Sequence, residues 1–204
     1  MGKHLLILLA ALQWANSQPS AVSSAAGLPG RWRSVETSKG GIGAVYQFHQ
    51  DGTVDFSSGA IVDMPYRVEG NQLILPPGTT TGPEVKSVVS WSGDRVMRIA
   101  MLGAVTEYQR QGAQADPHDP LLGEWLTFRE MDGNRMPEEW FFYPAGKGLL
   151  VILFTTEHGR YSVTNGRLVA QFGGRVGLEG AFAISDGVLS IHRSGGRVTK
   201  LARY

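Results

Sequence analysis

Tyr46-Gln47-Phe48-His49-Gln50-Asp51-Gly52-Thr53-Val54-Asp55-Phe56 is the stretch that decides the fold. Apolar side chains occupy every second position on either side of Asp51-Gly52, the period of a half-buried β-strand. Asp-Gly tolerates the positive φ that a tight hairpin turn demands. The segment reads as two antiparallel strands and their turn. Gly70-Asn71 and Gly93-Asp94 repeat this punctuation downstream, followed by Asp132-Gly133, Asn165-Gly166, Asp186-Gly187 and Gly195-Gly196.

Working outward, about eight short strands are predicted up to residue 110. They lie near Arg31 to Thr37, Ala44 to His49, Val54 to Ser58, Ile61 to Glu69, Gln72 to Leu75, Glu84 to Trp91, Arg95 to Met101 and Val105 to Arg110. No helical periodicity interrupts them, so the fold class is all-β. Short turns between consecutive strands favour an up-and-down meander. Closing such a meander protects its edges from aggregation.

The pattern then starts again. Gly30-Arg31-Trp32 returns as Gly123-Glu124-Trp125, Tyr46-Gln47-Phe48 as Trp140-Phe141-Phe142, and Tyr66-Arg67-Val68 as Tyr161-Ser162-Val163. Thr106, Tyr108 and Arg110 return as Thr199, Leu201 and Arg203. Colinear blocks at so steady an offset mark a duplication. The expected organisation is a signal peptide at 1–17, a disordered leader at 18–27, a first domain at 28–111, a linker at 112–120 and a second domain at 121–204. Pro117 and Pro120 in the linker cannot donate to a sheet ladder. Two separate barrels are expected, with one larger shared sheet as the open alternative.

Composition narrows the function. The 27 glycines are about twice the usual share of roughly 7% and suit a turn-rich chain. A net charge of +1 with no basic run gives nucleic acid no electrostatic footing. Lys3 and His4, the apolar run Leu5 to Leu12 and the small residues Ala15-Asn16-Ser17 read as a secretory signal. That run is shorter than the ~20 residues that span a bilayer. With no cysteine there is neither a disulfide framework nor a thiol nucleophile. An exported protein, periplasmic or extracellular, is expected, without stable membrane insertion after cleavage.

Gly-x-Trp on the first strand, a meander of eight strands and an Arg ending the last strand together resemble the lipocalin-like (calycin) proteins. Phe48-His49-Gln50-Asp51-Gly52-Thr53 is similar to the hairpin of small bacterial lipocalin-like domains. The resemblance implies two tandem up-and-down barrels, with Gly30, Trp32 and Arg110 as the signature of the first and Gly123, Trp125 and Arg203 as that of the second. In each, the Arg packs over the indole and covers one barrel end, a contact worth ~0.5–2 kcal/mol. Strands of about six residues give a barrel only about 15 Å tall, with room for side chains or one small ligand. The candidate ligand-binding residues, read as facing the barrel interiors, are Tyr46, Phe48, Tyr66, Trp91, Trp140, Phe142 and Tyr161.

Catalytic and metal chemistry find little purchase. His4, His49, His118, His158 and His192 form no short-spaced ligand set, and no Gly-x-Ser-x-Gly elbow occurs. Glu138-Glu139 reads as a solvated hairpin flank rather than a hydrolytic dyad. No cofactor and no metal are expected. The reading is a non-catalytic protein holding a small apolar ligand in a barrel. The alternative is a filled interaction module that recognises another envelope or secreted protein. Leu149-Leu150-Val151-Ile152-Leu153-Phe154 is apolar at consecutive positions and so must be covered on both faces, by the first barrel or by a partner.

Overall fold

A computed structural model describes residues 25–78, 82–101, 103–114 and 116–204. The expected signal peptide and most of the expected leader lie outside the described residues. The first sequence copy supplies β1 (Gly30–Ser34), β2 (Ile42–Phe48), β3 (Thr53–Asp63), β4 (Arg67–Glu69), β5 (Gln72–Leu75), β6 (Val85–Ser92), β7 (Val96–Met101) and β8 (Ala104–Gln111). The second supplies β9 (Gly123–Met131), β10 (Asn134–Tyr143), β11 (Lys147–Thr164), β12 (Arg167–Phe172), β13 (Arg175–Ser185), β14 (Val188–His192) and β15 (Val198–Arg203). Every pairing is antiparallel. The two-residue turns behave as their composition requires. Asp186 and Gly187 both have positive φ, 51° and 73°, the type I′ geometry that follows the twist of the flanking strands.

The strands form one sheet in the order β12-β13-β14-β15-β1-β2-β3-β11-β10-β9-β8-β7-β6-β5-β4. A further pairing of β11 with β12 closes its first eight members into a barrel. That barrel draws β1, β2 and β3 from the first copy and β11 to β15 from the second. This corrects the expectation that each copy closes on itself. Trp32 lies opposite Arg203, and Trp125 opposite Arg110, so each signature Trp meets the Arg of the other copy.

The reason lies in β3 and β11. The predicted strands stop at Ser58 and resume at Ile61, leaving Gly59 in the gap, but β3 runs unbroken through it for 11 residues and β11 runs for 18. They pair from Asp63 with Leu149 to Thr53 with Arg160, interrupted by one bulge between Leu153 and Thr155. A Cβ at Gly59 would overlap the Ile152 carbonyl, so glycine permits the close crossing here and does not end the strand. One end of this long ladder belongs to the closed barrel. The other continues into the seven remaining strands, and beyond β3 the amides of Met64 and Tyr66 donate to the carbonyls of Gly148 and Gly146 at 2.8 Å. The meander that leaves β11 through β10 therefore returns beside β11 just before β4.

Three apolar clusters follow. The first fills the closed barrel with alternate residues of its strands, among them Trp32, Phe48, Leu168, Leu178, Ile191 and Leu201. The second gathers Leu73, Met97, Ile99, Tyr108, Trp125, Trp140 and Phe142. The third, Val45, Ile61, Phe141, Leu149 and Val151, joins β2 and β3 to β10 and β11 between the two bodies. The start of the apolar run on β11 is covered on both faces: Leu149 and Val151 enter the third cluster, while Leu150 packs on the second; Ile152, Leu153 and Phe154 are half-buried. Glu138 and Glu139 are only 2% and 8% exposed, which corrects their reading as a solvated flank. Glu138 turns towards Trp140 and Tyr108, and Glu139 towards Arg31 on the opposite face.

Candidate functional site

The two ends of the closed barrel differ. At one end Trp32 donates its indole N–H to the Leu28 carbonyl at 2.8 Å, and the Arg203 guanidinium lies over its ring, 4.3 Å from the ring centre. Arg203 also donates to the carbonyls of Pro29 and Gly27. A Cβ at Gly30, whose φ is +130°, would collide with that guanidinium, which explains the glycine of Gly-x-Trp. The second body repeats the plug. Trp125 donates to Leu121 at 2.8 Å, and Arg110 sits 4.2 Å over its ring and donates to Leu122, Pro120 and Asp94 carbonyls. Gly30, Trp32, Arg110, Gly123, Trp125 and Arg203 are therefore end-sealing residues, with the Trp–Arg partners exchanged between copies.

Because β15 ends at Arg203 beside Trp32, its start and the turn before it lie at the opposite end. There the barrel has a mouth. Tyr46, Phe56 and Phe172 line a cavity of about 300 Å³, together with Glu157, Arg175 and Gly177. Ring centres lie 5.1 Å apart for Tyr46 and Phe56, 5.7 Å for Phe56 and Phe172, and 6.5 Å for Tyr46 and Phe172. Phe172 is held by two glycines: a Cβ at Gly177 would come within 2.7 Å of its ring, and one at Gly159 within 2.6 Å. Burial pushes the Tyr46 phenol above its usual pKa, an effect tempered by the charge of Arg193. The phenol therefore stays neutral at physiological pH. Further aromatic rings pack next to Tyr46 in the barrel core. Phe48 stacks on Tyr46 at 6.0 Å, and Tyr161 meets Phe48 edge-on at 5.1 Å while donating to the His49 carbonyl.

The seven predicted ligand residues thus fall into separate places. Tyr46, Phe48 and Tyr161 converge in the closed barrel, and of these Tyr46 alone lines the mouth. Tyr66, Trp140 and Phe142 belong to the other body, with Tyr66 and Phe142 at 5.0 Å and Trp140 and Phe142 at 5.6 Å. Trp91 is 38% exposed and leans on Trp125 at 5.5 Å. Phe56 and Phe172 were not singled out from the sequence. Phe56 continues the alternation of Val54, and Phe172 directly precedes Gly173-Gly174, so each carried a weak signal of its own.

A polar cluster distinguishes the second body. The repeat aligns Glu138 with Ala44, two residues before Trp140 and Tyr46 respectively. Glu138 accepts hydrogen bonds from Tyr108 and Trp140 at 2.9 Å and from Arg129 at 2.6 Å. Burial, reinforced by the Glu138 charge, holds the Tyr108 phenol far above its usual pKa. Buried polar groups placed here are satisfied by one another. The small Ala44 brings no such network to the closed barrel, whose mouth stays aromatic.

Two histidines that look unrelated in sequence share one carboxylate. Asp55 meets His49 at 3.1 Å and His158 at 2.7 Å. Among the described residues no group of three or more His, Cys, Asp or Glu side chains could hold a metal ion. No helix among them is long and apolar enough to cross a membrane. A further cavity of about 370 Å³ lies where the two bodies meet, lined by Arg33, Asp63, Tyr143, Lys147 and Tyr204 among others. No family model, no curated protein and no solved structure matches this chain.

Proposed function

We propose that the chain is an exported, non-catalytic binding protein of the lipocalin-like type, which holds one small apolar ligand at the aromatic mouth of its closed barrel. The observation that carries this reading is the cavity of about 300 Å³ that Tyr46, Phe56 and Phe172 line with their touching rings. Ligand sites start near that volume and are lined mainly by apolar and aromatic groups with a few polar ones, the role left here to Glu157 and Arg175. A space of about 300 Å³ suits a small ligand. Export is supported by the apolar run Leu5 to Leu12 with the small residues after it. A second lipocalin-like barrel is supported by the second Trp–Arg plug and by the return of the chain through Tyr66 beside Gly146.

The test is a fluorescence titration with N-phenyl-1-naphthylamine. Saturable binding of one probe per chain is expected, weakened at least tenfold by Phe56→Ala and unchanged by the distant Trp91→Ala. Absence of saturable binding, or equal affinity in Phe56→Ala, overturns the proposal. The interaction-module reading keeps one observation in its favour: Phe128 and Met131 near the tip of the β9–β10 hairpin are 45% and 41% exposed. On that reading an envelope or secreted protein is the partner, and mutating the tip abolishes its capture while probe binding is absent.

A further inference from the structure

The segment between the two copies is more than a connector. Its last residue and the first two of the second copy are pinned carbonyl by carbonyl: Pro120 and Leu122 accept from Arg110, and Leu121 accepts from Trp125. The Leu121 amide donates in turn to Asp119 Oδ1 at 3.1 Å. Held in this way, the segment forms one wall of a cavity of about 300 Å³ at the Trp125 end of the second body. The facing wall comes from the β4–β5 turn and from β6, and it presents Val68, Asn71 and Trp91. This space is remote from the aromatic mouth in sequence and in core: none of its lining residues belongs to the cluster that fills the closed barrel.

The chemistry of the cavity is two-sided. Trp91, Val68 and Leu121 offer apolar surface, and Trp91 is steadied by its contact with Trp125. Asn71, His118 and Asp119 bring an amide, an imidazole and a carboxylate to the same space. The occupant must therefore present an apolar face to an indole and several hydroxyl groups to mixed donors and acceptors. A purely apolar molecule would desolvate the Asn71 and His118 side chains without pairing them. A sugar ring meets both demands, with C–H groups on one face and hydroxyls at its edge. We propose that this cavity is a saccharide-binding site, with Trp91 as the platform and Asn71, His118 and Asp119 as the hydroxyl-binding groups.

Saturation-transfer NMR on the full chain tests the assignment, using the methyl glycosides of glucose, galactose, mannose and N-acetylglucosamine and the corresponding tetrasaccharides. At least one glycoside is expected to receive saturation at its ring C–H protons. Trp91→Ala and Asn71→Ala should each weaken that binding at least tenfold, with circular dichroism and N-phenyl-1-naphthylamine binding unchanged. Tighter binding of the tetrasaccharide assigns the end of a longer glycan as the ligand, and equal binding assigns a free sugar. Asn71→Ala removes only an exposed polar side chain, so it carries the test if Trp91→Ala does not fold. No transfer to any glycoside, or transfer unaltered in the folded variants, overturns the proposal and leaves the mouth site untouched.

Discussion

Arg31 shows how much one side chain can do between two sheets. It pairs with Glu124 at 2.8 Å and with Glu139, and packs against the touching rings of Phe141 and Tyr204, at 5.3 and 5.0 Å from their centres. Burial pushes the Glu139 carboxyl above its usual pKa, and Arg31 only partly offsets this. Removing the arginine leaves a buried carboxylate without its cation, a change that costs about 3 kcal/mol or more. Arg31→Ala should therefore lower the urea midpoint sharply at pH 7. Because the folded pKa of Glu139 lies above the unfolded one, its protonation favours the fold, so the deficit of Arg31→Ala should shrink at pH 5. The double variant Arg31→Ala/Glu139→Gln should recover most of the loss. Asp55 has the opposite sign. Its burial works upward, but hydrogen bonds from His158 and His49 outweigh it and hold the carboxyl below its usual pKa. Its contribution is complete above the unfolded carboxylate range near about 4 and is lost as pH falls through the lower folded value. Urea unfolding between pH 5 and pH 2.5 should show a shallower decline for Asp55→Asn than for the parent chain.

At the scale of elements, the turns were legible and the long strands were not. Asp-Gly and Asn-Gly pairs mark hairpins because few other dipeptides accept two positive φ angles, and Gln72–Leu75 occupies the predicted bounds. Gly59 misled for a physical reason: a glycine inside a strand reads the same whether it ends the strand or admits a neighbouring backbone. Only the partner, the Ile152 carbonyl, tells the two apart. The Gly59→Ala substitution should cost about 1–3 kcal/mol as local overpacking, measurable by thermal melting. Were Gly59 a simple break, alanine would be tolerated or mildly stabilising. The mouth was half legible by the same logic. Tyr46 stood out in a repeated motif, while Phe172 owes its place to Gly159 and Gly177, which are distant from each other in sequence.

For the whole molecule, the duplication could be read from the residues but the partnership of its halves could not. Gly-x-Trp and the terminal Arg are alike in both copies, so a Trp32–Arg110 closure and a Trp32–Arg203 closure leave the same trace in the sequence. What decides between them is the length of β3 and β11, which carry the chain from one body into the other. Each body thus contains strands from both copies and shares the apolar layer of Val45, Ile61, Phe141, Leu149 and Val151. Independent unfolding of the two copies is not expected. Trp32→Ala and Trp125→Ala should each remove about 3–5 kcal/mol and shift one common calorimetric transition. Two separated transitions, with one variant moving only one of them, would show that the bodies are uncoupled.

The exchange itself is best tested with engineered disulfides, because the chain has no cysteine of its own. Arg33 and Ala202 are cross-strand partners on β1 and β15. Their Cα spacing, about 5.5 Å for such a pair, suits a disulfide. Arg33 with Gln109 is the equivalent pair if the first copy closes on itself. The account predicts rapid intramolecular oxidation of Arg33→Cys/Ala202→Cys, confirmed by peptide mapping, and none in monomeric Arg33→Cys/Gln109→Cys. Efficient bonding of the second pair, with the first left reduced, would contradict the exchanged barrel.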